Sequence, residues 1–275
     1  QPMTTPHMLR VTAITFVTLF LSVGISIAAG GGGKIIKTDP SKHFDPKGKL
    51  PSEYTIELQN GLRKSLPFED ARDFDEAKKG FIAAPDYKQI MADAGHVAWD
   101  MGSYEFLLTD KEYDSIHPSL QRQAVLNMAY GLYEVMPDKI YQIRGYDLAN
   151  ITFIKGDKGW IIFDPLTAKE TAAAALKFIN EQLGERPVTG VVYSHSHADH
   201  FGGVRGVVDE ADVRSGKVPV IAPVGFMDHA VSENVYAGNA MSRRLFYQYG
   251  VLLPRSPFGH VDQSIGKSVA AGNLG

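Results

Sequence analysis

Residues 191–203 read VVYSHSHADHFGG and place His195, His197, Asp199 and His200 within six positions. Such groups are costly inside a fold unless something satisfies them. Two histidines at i, i+2 on a loop leaving a strand can aim both imidazoles at one point, and neutral imidazole suits zinc, iron or copper. Asp199 and His200 follow at once and can face a second ion. Two ions about 3.5–4 Å apart can share a bridging hydroxide and clamp both the attacking and the leaving oxygen. In that chemistry Asp199 is a candidate catalytic group as well as a ligand, because a carboxylate compensates the charge and orients water. Gly202 and Gly203 allow the chain to turn tightly where a side chain would intrude. A polar loop with surface histidines is the plainer reading, but it suits a lone histidine better than four ligand-type residues at this spacing. His229 and His260 are further candidate ligands, each read rather as structural or exposed. Four ligands split two and two are too few for two closed shells, and no other dense cluster appears up to residue 275.

The elements that must position this loop begin at Lys139. IYQIRG and NITFIKG read as strands, GDKG as a turn, and WIIFD as the returning strand. TAKETAAAALKFINEQLG reads as a helix. Thr167 and Glu170 have capping-box spacing, Ala172, Leu176, Ile179 and Leu183 form an apolar stripe, and Gly184 stands at its C-terminus. VTGVVYS is a buried strand that delivers the chain to His195. GGVRGVVDE then suggests a short helix and VPVIAP another strand. This order is an α/β layout with helices packed on a sheet. Upstream, residues 34–66 are polar and weakly periodic, and TDPSKHFDPKGKLPSE reads as an extended arm. FEDARDFDEAKKGFIAAP reads as one surface helix, and HPSLQRQAVLNMAYGLYEVM as a better one.

Bulk properties narrow the class. The net charge of −3 gives no electrostatic case for nucleic acid, and the lack of cysteine excludes disulfides, thiolate ligands and a cysteine nucleophile. An uncharged apolar run from Val11 to Ala29 follows Arg10 and ends in small residues, with Ser26-x-Ala28 as a cleavage signature and Gly30 to Gly33 beyond. This reads as a secretory signal peptide, with a membrane anchor as the alternative. Either way the remainder is exported, to the periplasm or the medium, with a mature N-terminus between Ala28 and Gly33.

SHSHADH on a strand-to-helix loop, preceded by GWIIFDPLTAKETAAAAL, resembles the metallo-β-lactamase superfamily with its H-x-H-x-D-H signature. ENVYAGNAMSRRLFYQYGVLLPRSPFGHV and EVMPDKIYQIRGYDLANITFIKGDKGWIIFDPL are similar to its alkylsulfatase branch, hydrolases of dodecyl sulfate and related esters. The resemblance implies an αββα sandwich with two zinc ions, His195 and His197 holding one and Asp199 and His200 the other. It implies two glutamates and a further histidine beyond residue 275. It also implies a later helical dimerisation domain and a lipid-binding-like domain, so that this chain is an N-terminal portion, inactive alone, whose homodimerisation is doubtful. The corresponding domain reading is 1–29 signal peptide or anchor, 30–130 arm and helices, and 131–275 the first part of the sandwich. For a sulfate monoester, the adjacent Arg243 and Arg244, with Asn239 nearby, are candidate substrate contacts, since guanidinium meets anionic oxygens with forked donors. The alternative is that both arginines pair with surface carboxylates. HVDQSIGKS departs from the glycine-rich segment that the resemblance leads one to expect after the proline turn. Another superfamily hydrolase, acting on thioesters, lactones or phosphoesters, and a non-catalytic metal-binding fragment are the rival functions; NVYAGNAMSRR argues against the first.

Overall fold

The computed structural model describes residues 44–45 and 48–274. The apolar run at 11–29 and its processing border lie outside them. Among the described residues no helix is long and apolar enough to cross a membrane.

A short antiparallel hairpin, β1 (Phe44–Asp45) and β2 (Gly48–Lys49), precedes helix α1 (Glu53–Ser65). The polar reading of this region missed α1. It is capped by Ser52, whose side chain accepts from the Thr55 amide at 3.2 Å, and it buries little besides Gln59. Arg63 holds it in place through Asp114 at 2.9 Å and the Tyr113 carbonyl at 3.1 Å. A helix docked by polar bridges leaves little apolar period to read.

The next two sequence expectations are each half right. The surface helix expected over 68–85 is α2 (Arg72–Lys78) followed by strand β3 (Phe81–Ala83). After it come the hairpin β4 (Gln89–Met91) and β5 (Val97–Asp100), and a 3-10 stretch at Gly102–Leu108. The helix expected over 117–136 is α3 (Pro118–Leu126), capped by His117, followed by strand β6 (Gly131–Met136). Gly131 adopts φ +130, and a Cβ there would stand 2.3 Å from the Ala83 carbonyl oxygen. The chain therefore changes direction at Gly131, and GLYEVM enters a sheet between β3 and the next strand.

That sheet continues through β7 (Ile140–Arg144), β8 (Ile151–Lys155), β9 (Trp160–Phe163), β10 (Val188–Val192) and β11 (Val220–Ile221), in the order β11-β10-β9-β8-β7-β6-β3. Pairing is antiparallel from β3 to β9, and parallel for β9–β10 and β10–β11. Burial alternates along the strands. Tyr141, Ile143, Ile151, Phe153, Trp160, Ile162 and Val191 are buried, while their neighbours Gln142, Thr152, Ile154 and Ile161 are only partly covered.

Helix α4 (Lys169–Leu183) joins β9 to β10 and covers the buried face. Its inward residues are Thr171, Ala172, Ala175, Phe178 and Ile179. Ala172 and Ile179 belonged to the expected stripe, but Leu176 is half-buried and Leu183 exposed, because Ala175 and Phe178 carry the contact instead. Phe178 meets the Tyr146 ring at 6.3 Å, and the Trp160 indole donates to Asn180 at 2.8 Å. The capping box does not form. The Thr167 hydroxyl is taken by Asp147 at 2.9 Å, and Glu170 accepts from the Asn273 amide at 2.8 Å. Gly184 ends the helix at φ +92, the sign expected of it.

Register of α4 is directly testable. Phe178→Ala removes a buried ring and should cost about 3–5 kcal/mol of unfolding free energy, whereas Leu183→Ala should cost below about 1 kcal/mol. Urea midpoints of the two variants check this.

Candidate metal centre

Parallel pairing of β9 and β10 sets the site. Val192 lies opposite Phe163, so the carboxyl ends of both strands finish side by side. Asp164 leaves β9 and Ser194 leaves β10 at the same level. The Asp164 amide donates to the Val192 carbonyl at 3.0 Å. Asp164 Oδ1 accepts from the Ser194 amide at 2.7 Å, and Oδ2 from the Ser194 hydroxyl at 2.6 Å. Oδ2 also meets His200 Nδ1 at 2.9 Å. One carboxylate thus joins both strand ends to the last residue of the histidine motif.

The motif folds over these ends. His195 leaves the strand, and Ala198–His200 form one 3-10 turn. The rings of His195 and His200 stand 4.1 Å apart, and those of His195 and His197 4.6 Å apart. Asp199 Oδ2 lies 3.2 Å from His200 Nε2. Gly202 and Gly203 close the turn against residues 165–168. A Cβ at Gly202 would stand 2.3 Å from the Thr167 carbonyl oxygen, and one at Gly203 2.2 Å from that of Pro165. The glycines are there for close approach of backbone, as the sequence suggested, and Gly203 keeps an ordinary negative φ.

Electrostatics follow from these contacts. Burial works against a charged His200, but its bonds to Asp164 and Asp199 outweigh that and raise its pKa to about 9. Burial, together with neighbouring His200 and His197, holds His195 below the usual imidazole range. Asp164 and Asp199 are pulled below the usual carboxylate range: burial opposes this, and hydrogen bonds with His200 overcome it.

Of the four predicted residues, His195 and His200 bring ligand atoms together; Asp199, half-buried like them, meets His200, and the more exposed His197 meets the His195 ring. Sequence reasoning missed two acidic neighbours. Asp164, His195 and His200 offer ligand atoms within 4.8 Å of one another. Asp164 already accepts from three donors, so its chemistry is that of an orienting group behind His200, leaving Nε2 of that ring for a metal. The other is Glu233, whose Oε1 lies 3.2 Å from His197 Nε2. Imidazole nitrogens beside a carboxylate, with a carboxylate held behind one ring, form a donor set that fits a divalent metal.

A cavity of about 720 Å³ opens on this cluster. After the short helices α5 (Glu210–Arg214) and α6 (Phe226–Val231), the rest of its lining comes mainly from a π turn at Ser232–Tyr236, α7 (Gly238–Tyr249), and the chain from Gln263 onward. Asn239 lines it; Arg243 and Arg244 do not. Helix α7 turns Ser242, Leu245 and Tyr249 inward, and at 3.6 residues per turn both arginines fall roughly 120° or more around the helix from that face. Both are exposed, and neither forms an ion pair with a described residue. Adjacency in sequence carried no information about facing here. His229 is exposed on α6, while His260 is buried against Tyr104, its Nδ1 3.0 Å from the phenol oxygen; neither lines the cavity. The divergent segment HVDQSIGKS is held by a buried Lys267–Asp262 pair at 3.0 Å, and Asn127 donates to Asp262 at 2.9 Å.

Comparison with known proteins agrees with this geometry. The metallo-beta-lactamase superfamily pattern matches residues 144–274. An (R)-specific secondary-alkylsulfatase of Pseudomonas sp. is 53% identical over 222 residues, spanning 81% of this chain and 33% of its own length. An alkyl/aryl-sulfatase of Saccharomyces cerevisiae is 47% identical over 220 residues, 80% of this chain and 34% of its own. The solved structure of the stereoselective inverting sec-alkylsulfatase Pisa1 from Pseudomonas sp. superposes with a TM-score of 0.76 at 52% identity, over 82% of this chain and 35% of that one. Residues 144–274 thus carry the metallo-β-lactamase superfamily pattern, and the chain is similar to alkylsulfatases along most of its length. It spans about a third of the length of the relatives it matches. The mixed sheet with α4 on its buried face is the metallo-β-lactamase-like fold expected from the motif, and the superfamily implies metal ions at the histidine cluster.

Gly203→Ala would push its new methyl into the Pro165 carbonyl and should cost about 1–3 kcal/mol. The same variant should retain less metal after dialysis. Thermal unfolding and atomic absorption on one sample check both.

Proposed function

We propose that this chain contributes to the active site of a zinc-dependent alkyl sulfate ester hydrolase that releases alcohol and sulfate. The observation that carries the reading is the mixed lining of the cavity: the His195, His197, Asp199 and His200 cluster shares it with the apolar Val235, Met241, Leu245, Ile265 and Val269. An alkyl sulfate likewise joins an anionic head to an apolar tail. The relatives support the reading, since their names give alkylsulfatase activity.

His195 and His197 would hold one ion, and Asp199 and His200 the other. When bound, zinc supplies Lewis acidity and a strong nucleophile at neutral pH. Asp164 keeps His200 in one ring orientation through Nδ1. Asp199 offers a carboxylate oxygen beside His200 Nε2, where it can hold a proton or orient water. Asn239 presents an amide to the sulfate oxygens, and the apolar lining holds the tail and excludes water from the head. Export, read from the run at 11–29, is part of the same proposal; mass spectrometry of secreted protein should find a mature N-terminus between Ala28 and Gly33.

Sulfate release from dodecyl sulfate by the full-length protein tests the reaction. Zinc removal should abolish turnover and zinc return restore it. His197→Ala should lower kcat/KM at least about 100-fold, and Arg243→Ala should leave KM within about twofold. Zinc-independent turnover contradicts the metal reading.

A further inference from the structure

Glu233 stands on the single π turn at Ser232–Tyr236, where the Ala237 amide donates five residues back to Ser232 at 2.9 Å. Such a turn inserts one residue and often marks a functional position. Asn234 donates to the Ala230 carbonyl at 2.9 Å and fixes the segment, leaving Glu233 aimed into the cavity. Its side chain is 23% exposed, and no lysine or arginine among the described residues pairs with it. Its close polar contact is His197 Nε2 at 3.2 Å.

A neutral imidazole carries one N–H and one lone pair. If Nε2–H donates to Glu233, the lone pair is on Nδ1. His200 shows the mirror arrangement, with Nδ1 directed at Asp164 and Nε2 left toward Asp199. We propose that Glu233 is a positioning residue that fixes His197 in the Nε2–H tautomer and presents Nδ1 to the metal. Carboxylates behind metal-bound histidines orient the ring and raise its basicity. The inference rests on the metal site of the preceding section and assigns to the ENVYAGNAM segment a task beyond lining the cavity.

The test uses full-length protein stripped of metal and titrated with zinc against a chromophoric chelator, with cobalt absorption as a second readout. Glu233→Ala should weaken one ion by about 10- to 100-fold, and Glu233→Gln, which keeps an acceptor for Nε2–H, should stay within about threefold of the parent. Circular dichroism confirms that the variants fold. The ¹⁵N shifts of His197 in the unmutated protein give a check independent of folding: Nε2 protonated and Nδ1 on the metal is the expected result. Wild-type affinity in Glu233→Ala overturns the proposal, as does Glu233→Gln falling as far as Glu233→Ala, because the carboxylate would then itself be a ligand. Metal on His197 Nε2 overturns it too. A parent protein that binds no zinc defeats the metal reading and this inference together, whereas normal zinc binding by the parent with indifferent variants defeats this inference alone.

Discussion

The carboxylate of Asp164 is the contact on which the site depends. It sits where two parallel strands end, accepts from the backbone and hydroxyl of Ser194, and meets His200 Nδ1. Strand pairing fixes its height, and its bonds carry that precision into a loop with no regular structure beyond one turn. Without it, His200 would be free to rotate about its side-chain bonds and Nε2 would have no set direction. The two charges also hold each other's protonation states, lowering Asp164 and raising His200.

Asp164 is itself held in an uncommon backbone conformation. Its φ is +54 and that of Leu166 is +61, a region that costs free energy for residues with side chains. The compensation lies one layer deeper. Asp147 is fully buried and accepts from the Thr167 amide and hydroxyl, the Thr171 hydroxyl, and the amides of Leu148 and Ala270. Burial pushes its carboxyl up, and these donors favour the charged form. Glu170 accepts from the backbone amides of Asp93 and Asn273. The start of α4 is therefore tied to three distant segments, and the strained turn has no room to relax.

Much of this was legible in the sequence where the period was strong. The alternation in IYQIRG, NITFIKG and WIIFD, the long α4 and the run VTGVV gave the right elements, because each buries one face against the core. Strand β6 was hidden because its residues follow a helix without a polar break, and only its pairing with β7 and β3 decides its conformation. The histidine motif was legible from residue type and spacing. Asp164 was not, because a carboxylate after a strand looks like ordinary turn chemistry until the neighbouring strand is known. Glu233 and the outward facing of Arg243 depend on a π turn and a helix phase, which adjacency in sequence does not reveal.

The most direct measurement is the NMR titration of the His200 ring in metal-free protein, compared with Asp164→Asn. His200 should titrate near 9 in the parent. Because that is above the unfolded value of about 6.5, the contact stabilises the fold fully below about pH 6.5 and loses its effect as pH rises through about 9. Asp164→Asn should bring the pKa down by about one unit or more and let the ring populate both tautomers. An unchanged pKa and a single tautomer in Asp164→Asn would contradict the account, and would show that the motif loop orients His200 without the strand-end carboxylate.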